Sequence, residues 1–280
     1  MYMPVTTVRS CSDNVTGRWL MKYKLLTLKL FVWVACLLFN PVYADPGREL
    51  LQKKMHEYSE NIKRDPNDKQ SLIKRADIYM EIRDFKHADA DYSAVIKIDP
   101  GQGKAWLSRG MARSKMGLID EGIADISVYI QRHPASSLAY TKRGVQYLRK
   151  GDNPMALNDF LKALELDINN AEAHDDLGVI YAQKKDFVKA MEHFKNAVAI
   201  DPSYHKAYHN MAMVLFITGN NTDAIRSINQ SLSLKPYSRG SLLLKSTILE
   251  SLGRFDDAKK AGNDAALHPE GNWYEHAPVK

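Results

Sequence analysis

Cysteine is almost absent. The chain of 280 residues has two, Cys11 and Cys36, both within the first 44 residues. The rest of the sequence therefore has no disulfide, no thiolate zinc site and no cysteine nucleophile. Long apolar runs are missing too. Leu30–Phe39 is the longest uninterrupted one, well short of the ~20 residues that a spanning helix needs. There is no long basic run. Five of the 39 bases and one of the 33 acids lie in residues 1–44, and the remaining 34 and 32 nearly cancel at +2. Such a balance argues against nucleic acid as a partner. The sequence also lacks a Gly-rich phosphate loop, a Gly-x-Ser-x-Gly elbow and a His-Glu-x-x-His zinc motif. No catalytic residue, metal ligand or cofactor is expected, and the chain does not read as an enzyme. His205 and His209, four apart, could share a metal only with a third ligand such as Asp175 or Asp176. Solvated histidines are the simpler reading, and His174 beside Asp175 and Asp176 is read the same way.

Hydrophobic residues at 45% and charged residues at 26% suit a folded protein with a sizeable core. Residues 1–44 have a different character. From Met21 the order is a basic start (Lys22, Lys24, Lys29), the short apolar stretch Leu30–Phe39, a helix-breaking Pro41 and the small-residue end Val42-Tyr43-Ala44. That order predicts an export signal cleaved after Ala44, and hence a periplasmic or secreted protein. The alternative is an uncleaved membrane anchor. Residues 1–20 fit no region of a signal, which points to Met21 as the true start. Peptides from Tyr2–Arg18 in natural material would refute that.

Beyond the leader the sequence repeats itself every 34 residues. Pro66, Pro100, Pro134, Pro202 and Pro236 share one register. Ala76, Gly110, Gly144, Gly178, Ala212 and Ser246 form a column of small residues, as do Ala88, Gly122, Ala156, Ala190, Ala224 and Ala258. Tyr92, Ile126, Phe160, Phe194 and Ile228 are large and apolar, with Gly262 as the sixth member. Gly117, Gly151, Gly219 and Gly253 mark a turn. Each unit carries two apolar stripes at helical spacing, so each is a helix-turn-helix. Small residues let the two helices approach, and a large ring fills the space beside them. In the third unit Asn153 and Pro154 suit a helix N-cap and first turn.

A 34-residue helix-turn-helix period with these columns resembles the tetratricopeptide repeat. The resemblance covers Lys69 to about His268. It implies an all-α, right-handed superhelical solenoid of six units at 69–102, 103–136, 137–170, 171–204, 205–238 and 239–268. Residues 45–68 carry the stripe Leu51, Met55, Tyr58 and Ile62, which predicts an N-terminal capping helix. A tail, 269–280, contains Trp273 and Tyr274.

Two columns change together. Arg75, Arg109 and Arg143 stand in the first helices, and Asp91, Asp125 and Asp159 in the second. In units four to six they become Leu177, Met211 and Lys245, and His193, Ser227 and Ala261. This covariation predicts three structural ion pairs beside the packed helices. The second unit deviates most, and its Tyr129 is expected to fill the volume that Gly122 releases.

The resemblance further implies that the first helices line a concave groove. Outward places on them are Lys104, Leu107, Met111, Lys142, Val145, Arg149, Asp175, Val179, His209, Met213 and Phe216. An apolar line, Met111, Val145, Val179 and Met213, runs one residue per unit, with bases beside it early and acids in the fourth unit. Such a line suits a protein or peptide partner. Some relatives grip a chaperone's C-terminal carboxylate through Lys and Asn. Ile73 and Asp77 stand at the matching places, so that clamp is missing. The expectation is an exported adaptor that binds a protein. A structural or self-assembling element of an envelope complex, working through its convex face or ends, is the alternative.

Overall fold

The computed structural model describes residues 46–268, and among these it contains thirteen α-helices and no strand. The expected leader, with Met21 and Ala44, and the tail with Trp273 and Tyr274 lie outside the described residues. Helix α1 spans Pro46–Arg64. Six pairs follow: α2 Lys69–Glu81 and α3 Phe85–Ile98, α4 Gly103–Lys115 and α5 Ile119–Arg132, and α6 Ser137–Lys150 and α7 Asn153–Leu166. Then come α8 Ala171–Gln183 and α9 Phe187–Ile200, α10 His205–Ile217 and α11 Asn221–Leu234, and α12 Arg239–Ser251 and α13 Phe255–Leu267. Even-numbered helices are the first of each unit. Among the described residues no helix is long and apolar enough to cross a membrane.

The helix ends follow from short polar side chains at repeated places. Asp84, Asp152, Asp186 and Asn220 each accept a hydrogen bond from a backbone N–H in the first turn of a second helix. Asp68, Ser136 and Asn170 do so for first helices. Each such cap is worth about 1 kcal/mol. The cap of α7 is Asp152, one residue before the expected Asn153. Between the two helices of a unit one residue adopts positive φ: Gly117, Gly151, Gly219 and Gly253, but also Arg83 at 65° and Lys185 at 62°. The left-handed turn therefore recurs in all six units, even where the glycine does not.

Within a unit the helices meet over small residues. A Cβ on Gly144 would lie 2.6 Å from the Phe160 ring, and one on Gly178 only 2.4 Å from Phe194. Both rings are fully buried. In the second unit the approach is between backbones, because a Cβ on Gly110 would sit 2.9 Å from the Gly122 carbonyl oxygen. The volume that Gly122 leaves is taken by Ser114, whose Oγ donates to the Gly110 carbonyl at 2.8 Å. Tyr129 does not fill it. That ring lies against His133, 4.4 Å between centroids, because seven residues along α5 carry it two turns away from the crossing.

Between units, three arginines act as staples. Arg75 donates through Nε and Nη2 to the two oxygens of Asp91 at 2.8 and 2.7 Å. Arg109 to Asp125 and Arg143 to Asp159 repeat the same fork at the same distances. The remaining nitrogen of each, Nη1, donates at 3.1 Å to a serine one helix back: Ser59, Ser93 and Ser127. Each guanidinium thus joins its own second helix to the preceding one. Aromatic faces cover the staples, with Trp106 4.7 Å from Arg109 and Tyr140 5.6 Å from Arg143. The bonds to Asp91 and Asp159 raise the pKa of Arg75 and Arg143 further. Arg113 adds a link to Asp89 at 2.7 Å and to Asp125 at 3.0 Å. The serines recur at the 34-residue step, so the sequence did carry their signal.

From the fourth unit the same place is built differently. Leu177 is fully buried and packs with Phe160 and Ile180. His193 turns to His174, Nδ1 to Nδ1 at 3.0 Å, and stacks on Tyr181. In the sixth unit Lys245, Ala261 and Asn229 occupy the three staple places. They border a cleft of about 290 Å³.

Candidate functional site: the wall formed by the first helices

First helices of neighbouring units touch directly: α4 with α6, α6 with α8, α8 with α10 and α10 with α12. Among the described residues no two second helices of neighbouring units meet as extensively. The first helices are therefore on the tighter side of the stack, and their outward residues share one wall.

Polar rungs cross that wall. Lys104 on α4 reaches Asp77 on α2 at 3.5 Å. Asp77 in turn accepts from the Tyr92 hydroxyl at 2.6 Å, and burial together with that bond pushes the phenol's pKa upward. Lys142 on α6 donates to both oxygens of Glu172 on α8 at 2.7 and 2.6 Å. Asn210 on α10 donates through Nδ2 to Asp175 on α8 at 2.9 Å. Arg149 donates to Gln146 one turn back, at 3.2 Å.

The expected apolar line is the margin of the core. Met111, Val145 and Val179 are half-buried and lean on the buried clusters of units two, three and four. Met213 is half-buried as well. Two expected wall residues, the buried Leu107 and the half-buried Phe216, also pack on the core. Leu107 is buried at 8% exposure among Ile126, Ile130 and Ala139, and Phe216 packs against Ala224 and Ile228. Both lean inward because the helix period turns them toward the second helix of their unit.

The wall is most unusual at α8. Asp175 is only 2% exposed, and Asp176 next to it is half-buried with its Oδ2 closed to solvent and without a hydrogen-bond donor. Burial raises Asp175 to about 7, against the help of Asn210. It raises Asp176 well above the ordinary carboxylate range, and the neighbouring Asp175 adds to that. Tyr204, at the start of α10, is raised by burial and by these same carboxyls. His209 is driven down to about 4 by burial, then by His205, and its Nδ1 lies 3.0 Å from Ser241 Oγ. His174 is 5% exposed, so neither it nor Asp175 is the solvated group its polar neighbours suggested. The bulky place in the 34-residue column buries His174. Contact with α10, which the chain pattern does not reveal, buries Asp175. Tyr204, Glu172 and Asn210 were not marked by the sequence pattern for the same reason.

The all-helical pairs, the left-handed turn at one place per unit and the small-against-large packing define a helical repeat protein. Family models described as tetratricopeptide repeat match residues 70–102, 171–204 and 205–238, and one described as TPR repeat matches 144–185. The chain belongs to the tetratricopeptide-repeat family. Its fold is similar to a chain of the APC/C hetero-tetramer Cut9-Hcn1, with TM-score 0.71 and 18% identity over 80% of this chain. The match spans 45% of that longer chain. A tetratricopeptide repeat protein from Parabacteroides merdae gives 0.68 at 15% identity, covering 82% of this chain and 90% of the other. PilW, described as a type IV pilus biogenesis factor, gives 0.62 at 22% identity, covering 69% and 90%. At these identities the likeness is one of fold. No curated protein matches the chain.

Proposed function

We propose that the protein is an exported adaptor that holds a partner peptide or protein along the wall of its first helices, and that it does so without catalysis. One observation carries this reading. The wall keeps a half-buried apolar line beside polar groups that the fold leaves poorly satisfied, above all Asp176. A repeat array that needed only to stand would fill such places with alanine or leucine, as the core of each unit does. The leader supports the export part, with its basic start, short apolar run and Ala44 end. Where the protein works, in the periplasm or outside the cell, follows from that leader alone.

Photo-crosslinking tests the proposal. A photo-reactive residue at Lys104 or Met213 would couple to a partner in the native compartment, and one at Val188 would not. Val188 is 81% exposed at the start of a second helix. Crosslinks from Val188 alone, with a size in solution that grows with concentration, would favour the self-assembling reading.

A further inference from the structure

We propose that the wall between α6, α8 and α10 takes the cationic side chain of a partner peptide, arginine or lysine, onto the carboxyl groups of Asp175 and Asp176. This rests on the groove reading and narrows it to one chemistry. The two positions are the fifth and sixth of the unit. Elsewhere those columns hold Ile73, Leu107, Thr141, His209 and Leu243, and Lys74, Ser108, Lys142, Asn210 and Leu244. Adjacent acids on the wall occur in the fourth unit alone.

The site is built, but its acceptors are not all used. Asp175 is held by Asn210 from the neighbouring helix. Asp176 Oδ2 is sealed from water and has no donor, a condition that folded proteins rarely tolerate without a purpose. The charges facing it come from three helices. Glu172 shares α8, Lys142 stands on α6, and Lys206, with Tyr204 just before it, belongs to α10. Lys142 is committed to both oxygens of Glu172. Lys206 forms no ion pair among the described residues. With Asp175, Asp176 and Glu172 all ionised, three acids would face the two cations Lys142 and Lys206; burial meets that by holding protons on the aspartates, and a cation brought by a partner would meet it instead. A guanidinium offers five donors in a plane, enough to meet Asp176 Oδ2 and the remaining lone pairs of Asp175 together. Val179 lies one turn further along α8, on the same face as both acids, and Met213 lies one turn beyond Asn210 on α10. They form an apolar ledge for the aliphatic stem of such a side chain. Among the described residues no three His, Cys, Asp or Glu groups stand close enough to hold a metal ion, so the fitting cation is an organic one.

The test uses the full chain and labelled twelve-residue peptides with Val and Leu around a central Arg, Lys, citrulline or Glu, read by fluorescence anisotropy. Arg and Lys peptides should bind about tenfold or more tightly than the citrulline peptide, the gain of a charge-assisted hydrogen bond. Asp176→Asn should erase that preference, and Asp176→Glu should keep part of it. Met213→Glu should weaken every peptide. Thermal melts of the variants by circular dichroism establish that they are folded. Equal binding of all four peptides, lost in Met213→Glu and unchanged in Asp176→Asn, would overturn the cation site and leave the groove reading standing. Binding of none of them, or binding indifferent to Met213→Glu, would overturn both.

Discussion

Units one to three and units four to six share one period and one backbone plan, yet they are locked by different chemistry. In the first half each unit carries a forked arginine–aspartate bond that also reaches a serine of the preceding helix. In the second half the same places hold Leu177, Met211 and Lys245: the lock is apolar contact, joined in unit four by the His174–His193 contact, and in unit six a cleft lies there. A solenoid can thus change its joints one at a time, because each unit answers only to its neighbours. The half with polar joints has a mostly basic wall. The half with apolar joints places its buried acids on the wall instead, at Asp175 and Asp176.

The comparison breaks most visibly at a staple. Asp159→Ala leaves Arg143, 17% exposed at its side chain, without its carboxylate. It should cost about 3–5 kcal/mol in urea unfolding. The double change Arg143→Leu with Asp159→Ala, which imitates unit four at the arginine place, should cost clearly less. An equal loss from both would mean that the two halves are not interchangeable solutions. Next comes Gly178→Ala, which drives a methyl into the Phe194 ring and should cost about 1–3 kcal/mol.

A third difference appears with pH. Asp175, raised to about 7, keeps its proton in the fold where the unfolded chain has lost it, so its contribution falls as pH rises from about 4 to 7. His209, lowered to about 4, stays neutral where the unfolded chain is charged, so its contribution grows as pH rises from 4 to 6.5. The two slopes oppose each other. Asp175→Asn should therefore gain stability relative to the wild type as pH rises over this range, by at most about 1.4 kcal/mol per pH unit. Hydrogen exchange should place the change in α8 and α10, which carry Asp175 and His209, and not in units one to three. The smallest effect is shared by both halves. Arg83→Gly and Lys185→Gly, each at a left-handed turn, should stabilise by about 1 kcal/mol and by similar amounts. Unequal gains would show that the turns, like the joints, differ between halves.

Much of this was legible in the chain. The 34-residue step, the small and large columns and the glycine turns define the helix pairs, because local helix packing leaves its period in the order of residues. Arg75, Arg109 and Arg143 changing in concert with Asp91, Asp125 and Asp159 announced a shared environment. Legibility failed where contact crosses from one helix to another. Leu107 and Phe216 looked outward on a helical wheel but lean on a second helix. Tyr129 looked like a filler for Gly122, yet Ser114 does that work from the facing helix. Asp175 and His174 looked solvated.

The sequence by itself determined that paired helices recur and where each begins, bends and ends, since capping, helical period and turn conformation depend on residues a few places apart. Only the tertiary structure decided which polar groups lose their water. Burial of Asp175, the unmet oxygen of Asp176 and the shifted His209 arise because α8 and α10, 34 residues apart in sequence, stand side by side in space, and desolvation depends on every neighbour in three dimensions.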